Sequence, residues 1–186
     1  MKTLLRSIKQ IFAYSILAVP FFLVACATTQ STGGSRFSAD YSSRLPQQMN
    51  TDGKKMVLVD PNAHAWGAYD ANGHLVRAGI ATAGGIACPP DENSPTCRTS
   101  IGTFHISSLG DGSCYSKVYP KPEGGGLMPY CMFFSNGQAL HGSPDSTVIE
   151  ANVSHGCVRM RIPDAEWMRY NFAQVGTKVV VLPYNN

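Results

Sequence analysis

Ser154-His155-Gly156-Cys157-Val158-Arg159-Met160, preceded by His141-Gly142-Ser143, is the stretch on which the reading of this chain turns. It sets a thiol, two imidazoles and a glycine turn close together. A cysteine is a useful nucleophile only as thiolate, and a neighbouring imidazole can take its proton and stay as a positive partner, lowering a pKa that starts near about 8.5. His141 and His155 both qualify for that part by residue type. Gly156 has no Cβ, so the backbone can turn sharply there and present consecutive N–H groups to a developing oxyanion. Cys157 also has plainer roles open to it, as a buried small hydrophobe or half of a disulfide.

The run from His141 to Met160 resembles the signature of the L,D-transpeptidase catalytic domain, the YkuD domain. Upstream, Met56-Val57-Leu58-Val59-Asp60, Trp66-Gly67-Ala68-Tyr69-Asp70 and Ala81-Thr82-Ala83-Gly84-Gly85 resemble that domain's opening strands and turns. Thr99-Ser100-Ile101-Gly102-Thr103-Phe104 resembles its Thr-Pro-x-Gly-x-Phe segment, with Ser100 where proline is usual. The likeness covers residues 54–186. It departs at Arg159, where many members carry asparagine, and in a short interval between His141 and Ser154.

The resemblance implies a mainly β fold, a curved sheet or β-sandwich with one short C-terminal helix, and chemistry needing neither metal nor cofactor. Cys157 would be the nucleophile and His141 the base, oriented by the backbone carbonyl of Gly142. Residue chemistry alone leaves His155 open as base; the resemblance selects His141. The N–H groups of His155, Gly156 and Cys157 would meet the oxyanion. The substrate would be a peptidoglycan tetrapeptide stem, cut at the bond to its terminal D-alanine to leave a thioester. Attack by another stem's amine gives a 3-3 crosslink, a lysine or free D-amino acid gives attachment or exchange, and water gives carboxypeptidase activity. A carbapenem would acylate the same thiol.

Around this centre, Arg159 could bind a stem carboxylate bidentately or brace the turn through an internal salt bridge. Ser154 could hydrogen-bond in the site or shape the turn. Residues 110–130 correspond to the family's lid, with Met128 and Tyr130 on its inner side; a passive surface loop is the plainer alternative. Two other protein classes are weighed: a non-catalytic peptidoglycan-binding lipoprotein, and a thiol-disulfide exchange protein. Neither accounts for the Ser-His-Gly-Cys context as well.

The N-terminus predicts where such chemistry would work. Lys2, Arg6 and Lys9 precede an uncharged, mostly apolar run from Ile11 to Ala25, the pattern of a secretory signal. The run is shorter than the roughly 20 residues needed to span a bilayer, and Pro20 interrupts it. Leu23-Val24-Ala25-Cys26 resembles a bacterial lipobox, which implies cleavage before a lipidated Cys26 and membrane attachment in the cell envelope. Ala27 in place of a retention aspartate favours the outer membrane over the inner. Residues 26–53 read as a flexible tether poor in large apolar residues, and 54–186 as one catalytic domain.

Residues 1–25 hold three of the fifteen basic residues and none of the twelve acidic ones, so the remainder is formally neutral. With no basic cluster left, there is no electrostatic case for nucleic-acid binding. Setting Cys26 aside for lipid and Cys157 for catalysis leaves four of the six cysteines, an even set suited to an oxidising compartment. Of the three connectivities, local pairing, Cys88 with Cys97 and Cys114 with Cys131, is expected because each pair brackets a turn-rich excursion. Zinc is disfavoured by the absence of close two-residue spacing.

Strands are predicted over 56–59, 65–69, 75–81, 101–106, 131–134 and 178–182, apolar or β-branched runs punctuated by Gly, Pro, Asn and Asp. Asp70-Ala71-Asn72-Gly73 predicts a hairpin with a primed turn. A helix is predicted from Pro163 to Ala173, with Asp164 and Glu166 in its first turn and Trp167, Met168 and Phe172 as its buried face.

Overall fold

Met56-Val57-Leu58-Val59 is apolar without alternation, and a strand of that kind must be covered on both faces. The computed structural model, which describes residues 40–88, 96–119 and 122–185, shows how. β1 (Met56–Asp60) lies between β2 (Ala65–Tyr69), antiparallel, and β9 (Lys178–Val181), parallel. β3 (Leu75–Ile80) and β4 (Gly102–His105) complete a five-stranded sheet in the order β3-β2-β1-β9-β4. The second sheet runs β5-β6-β7-β8, from β5 (Ser108–Leu109), β6 (Met132–Ser135), β7 (Gln138–Ser143) and β8 (Val158–Arg161).

Period-two alternation divides β1 between two cores. Val57 and Val59, with Trp66 and Val179, meet Met132, Leu140, Val158 and Met160 of the second sheet. Met56 and Leu58 join Ala65, Tyr69 and Ile80 on the outer face. That outer face explains a departure from expectation. The tether was to run to residue 53, yet Tyr41 and Leu45 are buried against Met56, Leu58 and Tyr69. Their segment opens with a 3-10 turn, Tyr41–Arg44, capped by Asp40. Tyr41 and Arg44 both bond Glu150, each at 2.9 Å. A polar-looking stretch is therefore recruited as cover for a sheet face that water would otherwise wet, worth about 1.5–3 kcal/mol per large side chain buried. The rest of the tether, the signal segment and Cys26 lie outside the described residues.

The six expected strands are present, and both disulfides form as paired, with Cα–Cα separations of 5.0 Å for Cys88–Cys97 and 6.1 Å for Cys114–Cys131. Two local details differ. The Asp70–Gly73 turn joins β2 to β3, but only Gly73 has positive φ, at 87°. Asp70 Oδ1 accepts the N–H groups of Asn72 and His74 at 2.8 and 3.0 Å, and this side-chain bonding holds a non-primed turn in place. The C-terminal helix begins as α1 (Ile162–Trp167) and widens to a π turn at Met168–Phe172, where Ala173 N–H reaches the Met168 carbonyl at 2.7 Å. Ala165, Met168 and Phe172 enter the core, while Trp167 is only partly buried, stacked on Phe172 beneath the Arg77 guanidinium.

Candidate active site

β7 and β8 run parallel, with Leu140 beside Val158 and His141 beside Arg159. A parallel pair cannot be closed by a tight turn and takes a crossover of about a dozen residues or more. That requirement is met by the interval between His141 and Cys157. Leu140, Val158 and Met160 face the core, so Ala139, His141, Cys157 and Arg159 share the opposite face. Cys157, one residue before β8, falls beside Ala139, a single i, i+2 step from His141. Neither strand was anticipated. Gln138-Ala139-Leu140-His141-Gly142-Ser143 has weak β propensity, but the alternation Val158-Arg159-Met160-Arg161 was a readable strand signal.

His141 is buried, and its Nδ1 lies 2.8 Å from the Gly142 carbonyl oxygen. A carbonyl only accepts, so Nδ1 carries the proton and Nε2 holds the lone pair. Ser143 Oγ stands 3.4 Å from the same nitrogen. Burial pushes the imidazole pKa down to about 4, opposed by the Gly142 carbonyl and assisted by the Arg159 charge. Burial pushes the half-buried Cys157 thiol up, against the Ala139 N–H directed at it and the Arg159 charge. The expected lowering of the thiol pKa by an imidazolium partner is thus reversed: dehydration of both groups favours the neutral pair.

The turn before Cys157 is tightly held. Gly156 has φ of 114°, and a Cβ there would sit 2.8 Å from Gln138 Nε2. Ser154 hydroxyl donates to the Cys157 carbonyl and accepts the Gly156 N–H at 3.2 Å. Ser154 is buried, bonded through its backbone to Ala83 and Gly85. Its role is therefore to shape the turn, and one of the three expected oxyanion donors, Gly156 N–H, is already engaged. Thr99, Gln138 and Tyr184 support this turn from the far side. Thr99 stood in the quoted Thr-Ser-x-Gly-x-Phe segment without an assigned part; Gln138 and Tyr184 carried no recognisable signal.

Arg159 lies opposite His141, half-buried, and its guanidinium makes no hydrogen bond or ion pair among the described residues. The bracing salt bridge is absent there. Burial lowers its pKa, partly offset by Cys157, and the group remains a cation. It lines a cleft of about 1490 Å³ together with Cys157, His141, Lys117 and Arg169; among the described residues, the carboxylate at the cleft wall is Asp111. The Arg159 guanidinium suits an anionic ligand.

Residues of 110–119 and 126–128 wall one side of the cleft. The Cys114–Cys131 bridge and bonds from Tyr130 N–H to Asp111 and from Met128 N–H to Cys114 close their base. Higher up, the Tyr119 ring stacks on His155, centroids 4.8 Å apart and planes 20° apart. Met128 is buried in the cleft wall, packed with Cys131, Ala139 and Cys157. Tyr130 does not line the cleft. Its φ of 59° turns the side chain outward, where its hydroxyl donates to Glu166 at 2.9 Å and its ring meets Tyr170 edge-on. It anchors the foot of the segment to α1.

A family model for the L,D-transpeptidase catalytic domain (YkuD) matches residues 54–181. No curated protein matches. Among solved structures, an L,D-transpeptidase from Xylanimonas cellulosilytica is similar at 23% identity and a TM-score of 0.62, covering 75% of this chain and 66% of that one. One from Stackebrandtia nassauensis is similar at 22% identity and a TM-score of 0.59, covering 75% and 60%. L,D-transpeptidase 3 from Mycobacterium tuberculosis, in complex with a faropenem-derived adduct, is similar at 20% identity and a TM-score of 0.54, covering 69% and 60%. The chain spans about 60 to 66% of the length of these structures. At such identities the likeness concerns the fold.

Proposed function

The chain belongs to the L,D-transpeptidase catalytic-domain family, and on that premise we propose that it is a cysteine-dependent acyltransferase acting on peptidoglycan stem peptides. The observation that carries this reading is the common face of Cys157 and His141 across β7 and β8, with Nδ1 committed to Gly142 and Nε2 left as the basic nitrogen. As Cys157 Sγ attacks the carbonyl carbon before the terminal D-alanine, Nε2 takes the thiol proton. The tetrahedral oxyanion is met by backbone N–H groups of the Gly156 turn, foremost that of Cys157. The C–N bond breaks, Nε2 returns its proton to the departing amine of D-alanine, and a thioester remains. An acceptor amine then attacks that thioester, losing a proton to Nε2, and the thiol is restored. Water in the same place gives the carboxypeptidase outcome.

Arg159 supplies the counter-charge for a stem carboxylate, since a half-buried cation without an internal partner is costly unless a ligand pairs with it. The two disulfides favour an exported domain, consistent with a lipid anchor at Cys26 and work at the wall, preferably from the outer membrane. Purified tetrapeptide muropeptides, incubated with the oxidised domain and read by mass spectrometry, test the activity. Crosslinked dimers mark a transpeptidase, tripeptides a carboxypeptidase, and untouched substrate refutes both. A carbapenem or penem should leave a covalent adduct on Cys157 that Cys157→Ala lacks, as the faropenem-derived adduct of the tuberculosis relative suggests.

A further inference from the structure

Behind the Gly156 turn, two hydroxyls tie four separate segments together. Thr99 Oγ1 lies 2.9 Å from the Gly156 carbonyl oxygen and 2.9 Å from the Gly84 amide nitrogen. Tyr184 hydroxyl lies 3.0 Å from the Gly84 carbonyl oxygen and 3.1 Å from the Thr99 amide nitrogen. Backbone amides can only donate and carbonyls only accept, so each hydroxyl's direction is forced: one proton given, one received. Thr99 is fully buried and Tyr184 nearly so. There is no room for an alternative arrangement, because a Cβ at Gly84 would come within 2.0 Å of the Cys97 carbonyl oxygen.

The consequence lies in the peptide joining Gly156 to Cys157. In a trans peptide the carbonyl and the following N–H point in opposite directions across one rigid plane. Holding the Gly156 carbonyl down onto Thr99 therefore aims the Cys157 N–H the other way, toward the side where the cleft opens. Gly156, at φ of 114° and without a Cβ, offers little intrinsic resistance to rotation of that plane. Gln138 adds a partial brace, its amide oxygen accepting Ser100 N–H at 2.8 Å and its nitrogen donating to the Arg98 carbonyl at 3.2 Å.

We propose that Thr99 is a positioning residue that sets the oxyanion donor of Cys157 by fixing the Gly156–Cys157 peptide plane, and that Tyr184 locks Thr99 in that role. This rests on the acyl-transfer reading and assigns part of its rate to two residues that never touch substrate. The role separates two reactions of the same sulfur. Alkylation by iodoacetamide is a displacement at saturated carbon and builds no oxyanion. Acylation by a penem builds one and needs the donor aimed.

The test measures both rates on the oxidised domain by mass spectrometry, for wild type, Thr99→Val, Thr99→Ser and Tyr184→Phe. Acylation of Thr99→Val should fall about 10- to 100-fold, less than complete loss of a donor, with alkylation within about twofold of wild type. Thr99→Ser keeps the hydroxyl and should recover most of the acylation rate. Tyr184→Phe should show the same split to a smaller degree and serves if Thr99→Val does not fold. Equal loss of both rates, or a Thr99→Val protein that acylates like wild type, overturns the inference. A wild-type protein that alkylates at Cys157 yet is never acylated by penem or stem peptide refutes the acyl-transfer reading itself.

Discussion

The electrostatics of the pair make a prediction that separates this site from a thiolate–imidazolium centre, and the perturbation is simply pH. Burial holds His141 near a pKa of about 4 and pushes Cys157 above its ordinary value. Relative to the ordinary 6.5, burying the imidazolium costs about 3 kcal/mol, at about 1.36 kcal/mol per pKa unit. At pH 7 a base of pKa about 4 is protonated in about one molecule in a thousand, and a thiol that burial has pushed above its ordinary range is overwhelmingly protonated. The resting site is a neutral thiol facing a neutral imidazole. Proton transfer therefore accompanies attack instead of preceding it. The assay is the second-order rate of Cys157 alkylation by iodoacetamide from pH 5 to 10, with the product located by mass spectrometry. The expected profile climbs about tenfold per pH unit through neutrality and bends only beyond the ordinary thiol range. A pH-independent plateau between about 5 and 8 would refute the reasoning, because only a preformed thiolate held by an imidazolium reacts that way.

Three further outcomes follow from the same contacts. Because the folded pKa of His141 is depressed, its contribution to stability is present above about pH 6.5 and lost as pH falls toward 4; urea unfolding should lose up to about 3 kcal/mol across that window, and His141→Gln should flatten the loss. A domain begun at Lys54 removes Tyr41 and Leu45 from the outer face of β1 and β2, and should unfold about 3–6 kcal/mol more easily than one begun at Asp40; equal midpoints in denaturant would show that the cover contributes nothing. Gly156→Ala should abolish penem acylation in a folded protein, and adding Gln138→Ala should not restore it, because the neighbouring amide is removed while the φ of 114° still opposes a side chain.

Legibility divided along the line between side chains that react and backbone that holds them. Cys157, His141 and the disulfide partners were readable because thiols and imidazoles are chemically distinctive and their spacing is constrained. Strands with strong β propensity were readable too. β7 was not, since Gln138-Ala139-Leu140-His141-Gly142-Ser143 becomes a strand only by lying between β6 and β8. The cover supplied by Tyr41 and Leu45 was hidden for a related reason: with Met49 they recur every four residues, but Pro46 breaks the stretch and their partners lie on another strand pair. Tyr130 was misplaced because a non-glycine residue at positive φ reverses the direction expected from its neighbours. The thiol pKa went the wrong way because proximity to an imidazole was visible in the sequence while the burial of both groups was not.

The Gly142 peptide shows why so little of the site's organisation has a side-chain signature. Its carbonyl orients His141 at 2.8 Å, and its N–H donates to the Pro129 carbonyl at 2.7 Å, at the foot of the cleft wall. One peptide plane thus links the base to the cleft wall. A Cβ at Gly142 would lie 3.1 Å from the Ile162 Cα, so the strand meets the start of α1 at close range as well. Tyr130 ties the same foot to Glu166, and the Cys114–Cys131 bridge secures it beside β6. A shift of that foot would drag Pro129 and tilt the carbonyl that selects the His141 tautomer. Movement that leaves the base competent is therefore confined to parts of the wall beyond this bonded foot, among which the Tyr119 ring stacks on His155 of the catalytic turn. The wall beyond the foot can then shift while the carbonyl that orients His141 stays in place.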